Sequence, residues 1–311
     1  MDEASGDVIG ARQVLWGVDL GGTKIEGAII DVAQAGRALW RVRVPTESQR
    51  GYEHVLGQTR KLIEELEAAS GLPRPGVIGF GTPGTVEPST GTMKNCNTVC
   101  LNGRPLSADL AATLDVTVKI ANDANCLALA EATLGAARGK GVVVALILGT
   151  GVGSGIVVHG RVLEGLHGIA GEWGHNPMRD EAAPCYCGRE GCVETVISGP
   201  ALERFYRAQT GEDVSLPGIA ERAARGEVAA RATLERLRDK FGEAIAAVIN
   251  ILDPDAIVIG GGVGNIAALY DGETRQAVLR HLFNPELRTE FLRPLLGDSA
   301  GVFGAALLAQ Q

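Results

Sequence analysis

The sequence lacks a hydrophobic segment long enough to cross a membrane. Its longest uninterrupted aliphatic run, Val142 to Leu148, is far shorter than the roughly 20 residues that a transmembrane helix needs. The N-terminal segment Met1-Asp2-Glu3-Ala4 is acidic and does not resemble a signal peptide. We therefore expect a cytoplasmic protein with no membrane partner, whose six cysteines are thiols or metal ligands rather than disulfides.

An excess of basic charge is also missing. The chain carries 29 Lys and Arg against 37 Asp and Glu, a net charge of -8, which argues against nucleic acid as a partner. A hydrophobic content of 45% with 21% charged residues is typical of a globular protein. At about 150 residues per domain, 311 residues suffice for two domains. Because no low-complexity linker separates the halves, we expect the two domains to share a cleft.

Two common nucleotide-binding motifs are absent, the Walker pattern and the dinucleotide Gly-x-Gly-x-x-Gly pattern. Glycine itself is abundant, with 43 residues, and the order strand, Gly/Thr turn, strand occurs at 14–30 and again at 142–158. A glycine triplet also follows the buried strand predicted at 256–259. Glycine lets backbone N–H groups turn toward an anion, and threonine adds a hydroxyl donor. The pattern predicts phosphate binding at Asp19, Gly21, Gly22, Thr23, Lys24, Gly149, Thr150, Gly151, Gly261 and Gly262, with Mg²⁺ held through water by Asp19.

Each of these turns has a simpler interpretation as a glycine hairpin with no ligand. The ammonium of Lys24 would neutralise phosphate charge in one interpretation and would be a solvated surface group in the other. Periodicity along the rest of the chain predicts an α/β order. The predicted strands are 38–44 and 77–80, and the predicted helices are 52–69, 106–114, 231–252 and 302–309.

A carboxylate stands where a predicted strand passes into a predicted helix, at Asn122-Asp123. The run Val116, Val118, Ile120 ends there, and an apolar helical run begins at Cys126. The positive end of the helix dipole favours the ionised carboxylate, so we expect Asp123 to have a lowered pKa. The alternative is an ordinary Asn/Asp helix cap.

A metal site is predicted in the second half of the chain. Cys185, Cys187 and Cys192 offer three thiolates within eight residues, and His175 lies ten residues upstream. A closed set of three cysteines and one histidine is typical of structural Zn²⁺ rather than catalytic Zn²⁺. The alternatives are free buried cysteines or a disulfide.

These motifs together resemble the ROK family of bacterial sugar kinases and repressors, within the actin/hexokinase superfamily. Residues 19–24 look like the superfamily's first phosphate motif, and Leu148 to Ile156 is similar to the family signature, which continues through Gly165 and Gly171. The family's catalytic Asn-Asp, its Glu-x-Gly-His motif and its zinc motif are matched by Asn122-Asp123, Glu172 to His175 and Cys185 to Glu194. The resemblance runs from about residue 14 to about residue 308.

The resemblance implies two actin-like (ribonuclease H-like) α/β domains with a cleft between them and a zinc-binding loop in the second. The first domain would comprise residues 1–121 plus about 298–311, because the C-terminal helix packs back on it, and the second 122–297. It implies ATP, Mg²⁺ and structural Zn²⁺ as cofactors, a hexose substrate and a homodimer. Asp123 would accept the proton of the sugar's 6-hydroxyl as it attacks the γ-phosphate. Sugar-binding residues would be Gly84, Asn95, Asn122, Asp123, Glu172, His175 and Glu194.

The identity of the hexose is the least specific expectation. The segments 94–97, 101–103, 172–177 and 184–188 look most like the fructokinase (manno-fructokinase) branch, so fructose, and also mannose, is expected. Glucose and N-acetylhexosamines are the alternatives. A DNA-binding repressor of the same family would carry a helix-turn-helix ahead of Asp19, where only 18 residues precede it, and a sugar-binding protein without activity is the remaining alternative.

Overall fold

The computed structural model describes residues 14–34 and 37–311. The acidic N-terminal segment and two residues of the turn expected before residue 38 lie outside the described residues. The strands are β1 Val14–Leu20, β2 Lys24–Asp31, β3 Ala38–Pro45, β4 Val77–Thr82, β5 Thr85–Glu87, β6 Thr92–Lys94, β7 Thr117–Asn122, β8 Val142–Leu148, β9 Val152–Val158, β10 Arg161–Val162, β11 Ala256–Gly260 and β12 Glu290–Leu292. The α-helices are α1 Tyr52–Ser70, α2 Leu106–Leu114, α3 Asp123–Thr133, α4 Val193–Ile197, α5 Gly199–Thr210, α6 Leu216–Ala224, α7 Val228–Leu252, α8 Gly261–Gly264, α9 Gly272–Leu279 and α10 Ala300–Leu308.

The contacts within the chain divide it into two compact units. The first holds the described residues up to Asn122 together with Gly301–Gln311, and the second holds Asp123–Ala300. Each unit has a five-stranded mixed sheet of its own. The α/β class predicted from the sequence is therefore confirmed.

The two sheets have the same strand order. The first runs β3-β2-β1-β4-β7 and the second β10-β9-β8-β11-β12. In each, an antiparallel hairpin (β1 with β2, β8 with β9) is extended on its other side by parallel strands. The strand, turn, strand repeat read from the sequence is thus the central hairpin of each sheet.

The core of the first unit lies between its sheet, α1 and α2. Apolar residues of β1 and β2, such as Val18 and Ile25, are fully buried, and so are Leu62 and Leu66 of α1. Helix α1 ends at Gly71, whose φ of 67° in the left-handed region suits glycine.

Helix α10 also packs on the sheet of the first unit. A Cβ atom added at Gly17 of β1 would collide with the backbone of Val302 and Ala306, and one added at Gly79 of β4 would collide with Ala305. The helix backbone therefore lies directly on these two strands, as only glycine permits. Val302 and Leu308 are buried there.

The core of the second unit lies around α7, a 25-residue helix that the sequence predicted to begin three residues later than it does. Leu237, Phe241 and Ile245 of α7 are fully buried, in one apolar cluster with residues of β8 and β11. Among the described helices, none is both long enough and apolar enough to pass through a lipid bilayer.

Candidate functional site

The first Gly/Thr turn is a tight connection between β1 and β2. The N–H of Gly21 donates to the carbonyl of Lys24 at 3.0 Å, and the hydroxyl of Thr46 donates to the carbonyl of Gly21 at 2.7 Å. The tip is exposed. In the part of the chain that the structure describes, the backbone N–H groups of Gly22 and Thr23 donate to no protein group. Two backbone N–H groups without a protein acceptor, at an exposed tip, are what an anion-binding turn needs.

Asp19 lies near the end of β1, directly opposite Glu26 of β2. Its carboxylate is beside the first turn of α10, because a Cβ atom added at Gly301 would be 3.0 Å from its Oδ2. Asp19 therefore lies between the turn and the first residues of α10.

The side chain of Lys24 is committed to a neighbour. Its Nζ lies 3.2 Å from Oε2 of Glu26, a carboxylate that is only 2% exposed and is also paired with Arg41 and Arg43. Burial alone would raise the pKa of Glu26, but its hydrogen bonds to Arg43 and Lys24 and the charge of Arg41 together lower it. To reach a phosphate, the Lys24 ammonium would have to leave this partner.

Gly84 and Asn95, from two different loops, are brought together within the first unit. A Cβ atom at Gly84 would be 2.6 Å from the carbonyl oxygen of Lys94 and 2.9 Å from Cα of Cys96, the two residues that flank Asn95. Asn95 itself has φ of 57°, a left-handed conformation that asparagine tolerates better than most residues. The hairpin β5–β6, which the sequence did not predict, connects the two positions.

Asn122 ends β7 in the first unit, and Asp123 begins α3 in the second, as the strand-to-helix pattern predicts. The carboxylate of Asp123 accepts the N–H of Ala124 at 2.8 Å. The expected lowering of its pKa is wrong: desolvation raises the pKa of Asp123 and outweighs the hydrogen bonds from the backbone N–H groups of Ala124 and Asp123. The residue keeps exposed surface. A carboxylate that water touches on one side and protein surrounds on the others is only partly hydrated, so the two observations are compatible.

Strand β9 supports the start of α3. A Cβ atom at Gly155 would collide with the carbonyl of Ala124, so the strand and the helix meet backbone to backbone. At Gly153, two residues closer to the turn on the same strand, an added Cβ atom would contact only Cβ of Ala124, at 3.9 Å. The second hairpin therefore fixes the position of the backbone that carries Asp123.

The second Gly/Thr turn, between β8 and β9, is closed by a hydrogen bond of 2.9 Å from the N–H of Gly149 to the carbonyl of Gly151. Thr150 and Gly151 have backbone N–H groups that donate to no group among the described residues. The third glycine turn lies against the second, because a Cβ at Gly261 would collide with the carbonyl of Leu148. The sequence predicted a glycine turn at Gly261 and Gly262. These two residues instead begin the short helix α8.

The four predicted metal ligands form one cluster. Their ligand atoms all lie within 4.8 Å of one another. Sγ of Cys185 is 3.6 Å from Nδ1 of His175, and Sγ of Cys187 is 3.6 Å from Sγ of Cys192. A tetrahedral Zn²⁺ with bonds of about 2.3 Å to sulfur and about 2.0 Å to nitrogen separates its ligands by roughly 3.5 to 3.8 Å. The cluster therefore fits Zn²⁺ and places no S–S bond among these cysteines.

Burial raises the pKa of Cys192 to about 12, so without a metal this fully buried thiol would stay protonated. A bound Zn²⁺ would hold it as thiolate. The free Nε2 of His175 lies 3.0 Å from the hydroxyl of Tyr186. Such a partner on the second nitrogen is typical of a metal-bound histidine.

Tyr186 is a residue of this cluster that the sequence analysis missed. Its ring meets that of His175 edge to face at 5.2 Å, and Oε2 of Glu172 is 3.9 Å from Nε2 of the same histidine. Partial desolvation and the charges of Glu194 and Glu172 raise the pKa of Tyr186 to about 12, although the residue is 82% exposed. The predicted sugar ligand His175 thus contacts the Tyr186 hydroxyl, and the predicted sugar ligand Glu172 lies beside the same histidine nitrogen. The position of Tyr186 between the two cysteines of Cys-x-Cys was the only signal for it.

The comparisons with known proteins agree on one family. The model of the ROK family matches residues 15–311. An N-acetyl-D-glucosamine kinase from Yersinia pseudotuberculosis is 36% identical over 94% of this chain and 98% of its own length. The N-acetylgalactosamine kinase AgaK from Shewanella sp. (strain ANA-3) is 35% identical over 94% of this chain and 96% of its own length. Among solved structures, the ROK hexokinase from Thermus thermophilus is similar with a TM-score of 0.85, 34% identity and coverage of 96% of this chain and 98% of its own.

Proposed function

Because the chain belongs to the ROK family, we propose that it is an ATP-dependent kinase that phosphorylates the 6-hydroxyl of a hexose. The observation that carries the proposal is Asp123, a carboxylate with a raised pKa at the first position of α3, held by the second of two hairpins that end in Gly/Thr turns. A base whose pKa is raised takes up a proton more readily than an ordinary aspartate. Asp123 would receive the proton of the attacking hydroxyl. Phosphoryl transfer otherwise depends on positioning and on neutralising charge.

We propose the remaining roles as follows, and the geometry of the two Gly/Thr turns supports those in nucleotide binding. The backbone N–H groups of Gly22, Thr23, Thr150 and Gly151, which donate to no group among the described residues, would donate to the phosphates of ATP, and Asp19 would hold Mg²⁺ through water. Lys24 has the weakest support among the proposed nucleotide-binding residues, since its ammonium is paired with Glu26. Sugar hydroxyls would be bound by Gly84, Asn95, Asn122, Glu172, His175 and Glu194.

Zn²⁺ would be held by His175 and the three cysteines of the cluster. With four protein ligands, the ion would leave no position for substrate and would supply structural order rather than Lewis-acid chemistry. The expected result of metal analysis on protein purified without chelator is one zinc per chain, lost in Cys187→Ser. Finding no metal would contradict the Cys₃His assignment. A homodimer in the cytoplasm remains part of the proposal through the family resemblance, and light scattering in solution tests the dimer.

For the substrate we favour an N-acetylhexosamine. Two relatives above 34% identity are named as kinases of N-acetylglucosamine and N-acetylgalactosamine. Fructose is the second candidate, because the loop sequences at 94–97 and 172–177 resemble the fructokinase branch. A difference of a few kcal/mol in one pocket decides between such sugars, so a single contact is enough to change the preference.

The experiment is an assay of ADP release with ATP·Mg²⁺ and, in turn, N-acetylglucosamine, N-acetylgalactosamine, N-acetylmannosamine, fructose, mannose and glucose. The highest kcat/KM is expected for an N-acetylhexosamine. A preference for fructose by more than tenfold would reverse the substrate assignment and leave the kinase assignment intact. Sugar binding by calorimetry without turnover on any of the six would favour a regulatory or sugar-binding protein instead.

A further inference from the structure

The segment that carries the metal ligands also holds the second Gly/Thr turn. On the upstream side, Gly174 directly precedes the ligand His175, and a Cβ atom at Gly174 would collide with the carbonyl of Val152. The backbone of the metal loop therefore lies against the first residue of β9. Because no side chain lies between the two backbones, a shift of the metal loop would displace β9 directly.

On the downstream side, Glu194 lies two residues after the ligand Cys192, in the first turn of α4. Its Oε2 accepts the backbone N–H of Val152 at 2.9 Å. The same oxygen would be only 2.7 Å from a Cβ atom at Gly151. A charged acceptor makes this one of the stronger kinds of hydrogen bond, and it ends on the residue that follows the turn.

A third contact reaches the other side of the turn. The N–H of Gly199, just beyond α4, donates to the carbonyl of Gly149 at 2.8 Å. The turn is thus hydrogen-bonded at Gly149 and at Val152 to one continuous segment, 174–199, which contains all four metal ligands. The N–H groups of Thr150 and Gly151 lie between these two hydrogen-bonded positions.

We propose that Zn²⁺ bound at the Cys₃His site fixes the conformation of the Gly149–Gly151 turn, an arrangement that we call the clasp. Glu194 is the positioning residue that links the metal loop to the backbone of that turn. The proposal rests on the proposed function only in taking the phosphates of ATP as the turn's ligand. The clasp orders the two N–H donors before the nucleotide binds. Loss of the metal therefore weakens nucleotide binding even when no sugar is present.

Hydrogen exchange tests the clasp without any ligand. In the holoprotein, Glu194→Ala is expected to speed exchange in peptides covering 149–152 by about tenfold or more, because the N–H of Val152 loses its acceptor. Glu194→Gln keeps an acceptor oxygen and is expected to restore slow exchange. Glu190→Ala, which removes an exposed carboxylate from the same loop, is the matched control and leaves exchange there unchanged. Zinc content, measured for every variant, separates loss of the contact from loss of the metal.

Nucleotide affinity tests the consequence. The dissociation constant of the ATP analogue AMP-PNP with Mg²⁺, measured by calorimetry without sugar, is expected to rise about tenfold in Glu194→Ala and after removal of zinc by a chelator. Glu194→Gln is expected to stay within about threefold of the wild type. This rescue distinguishes a positioning role from the contribution of the carboxylate charge to sugar binding.

The two measurements separate the possible failures. Unchanged exchange at 149–152 in zinc-retaining Glu194→Ala, or in zinc-free protein, would overturn the clasp. Faster exchange with an unchanged nucleotide dissociation constant would overturn the link to nucleotide binding. If the wild type bound no nucleotide while exchange responded as expected, the clasp would stand and the proposed kinase function would fail.

Discussion

The two hairpins at the centres of the two sheets have the same topology but obtain their order from different sources. The turn of β1–β2 is held by hydroxyls from its own unit's chain just beyond β3, with Thr46 on the carbonyl of Gly21 and Ser48 on that of Gly22. The turn of β8–β9 is held by the metal-ligand segment through Glu194 and Gly199. The first turn depends only on how its own sheet folds, whereas the second also depends on a metal loop.

The hairpins also differ in what rests on them. Gly17 of the first hairpin receives the C-terminal helix α10, and Gly155 of the second receives the start of α3, where Asp123 lies. One hairpin thus packs against a structural helix, and the other packs against the helix that carries the proposed catalytic base. Four predictions, from the largest expected effect to the smallest, test this difference.

Removal of the carboxylate at the start of α3 should have the largest effect on activity. Asp123→Asn is expected to lower kcat by about 10² to 10⁴, the usual contribution of a general base. The dissociation constant of the sugar should change by less than about threefold. Steady-state assays and calorimetry measure the two quantities. Asp115→Asn, in the left-handed cap of α2, is the control, and an equal loss of kcat there would contradict the assignment.

The contact between β9 and the start of α3 can be disturbed without changing the Asp123 carboxylate. Gly155→Ala is expected to lower the free energy of unfolding by about 1 to 3 kcal/mol, because the new methyl group collides with the carbonyl of Ala124. It should also lower kcat by shifting Asp123. Gly153→Ala, with open space to 3.9 Å, should cost less than half as much. Urea denaturation of both variants checks the difference, and equal losses would show that β9 does not support α3 in this way.

The raised pKa of Asp123 sets the pH dependence. Activity requires the ionised carboxylate, so the acid limb of kcat/KM, which reports the free enzyme, should lie above the ordinary aspartate pKa of about 3.9. Because folding raises this pKa, the ionised group costs stability once the pH exceeds 3.9, and more so up to the folded value.

Asp123→Asn should therefore be more stable than the wild type at pH 7, and this advantage should vanish below about pH 3.9. Thermal denaturation at several pH values measures it. A variant less stable than the wild type at pH 7 would contradict the pKa direction.

The smallest effect is expected in the first hairpin. Thr46→Val removes the donor to the carbonyl of Gly21 from a fully buried side chain and should cost about 1 kcal/mol of stability. Ser48→Ala, where the hydroxyl is exposed and 3.3 Å from Gly22, should cost only a few tenths of that. Chelation of zinc should leave both differences unchanged. If chelation altered them, the two turns would not be independently ordered.

Much of the fold was predictable because its strands and helices have clear periodicity. The predicted α2 has the observed bounds, α1 differs by one residue, and the strand, turn, strand regions predicted at 14–30 and 142–158 match β1–β2 and β8–β9. The hairpin β5–β6 was missed because two strands of three residues are too short for an alternation to be recognised. The short helix α4 was missed for a similar reason, since five residues do not make an amphipathic period.

The candidate site was predictable in its residues but not in its energetics. The spacing of His175 and the cysteines located the metal cluster, because the ligands lie close along the chain. The pKa of Asp123 had the wrong predicted sign, because the helix dipole is a local effect visible in the sequence and desolvation depends on distant residues. The hydrogen bond from the N–H of Val152 to Glu194 joins residues 42 positions apart, and neither residue type predicts it from the sequence.

The position of α10 on β1 and β4 has a consequence for the order in which the protein is made. The two glycine-containing strands leave the ribosome before the second unit, and the helix that covers them is synthesised after it. The second unit has all of its strands before that helix appears. The first unit should consequently be the later one to finish folding, and a chain released before residue 300 would expose an uncovered strand face to its neighbours.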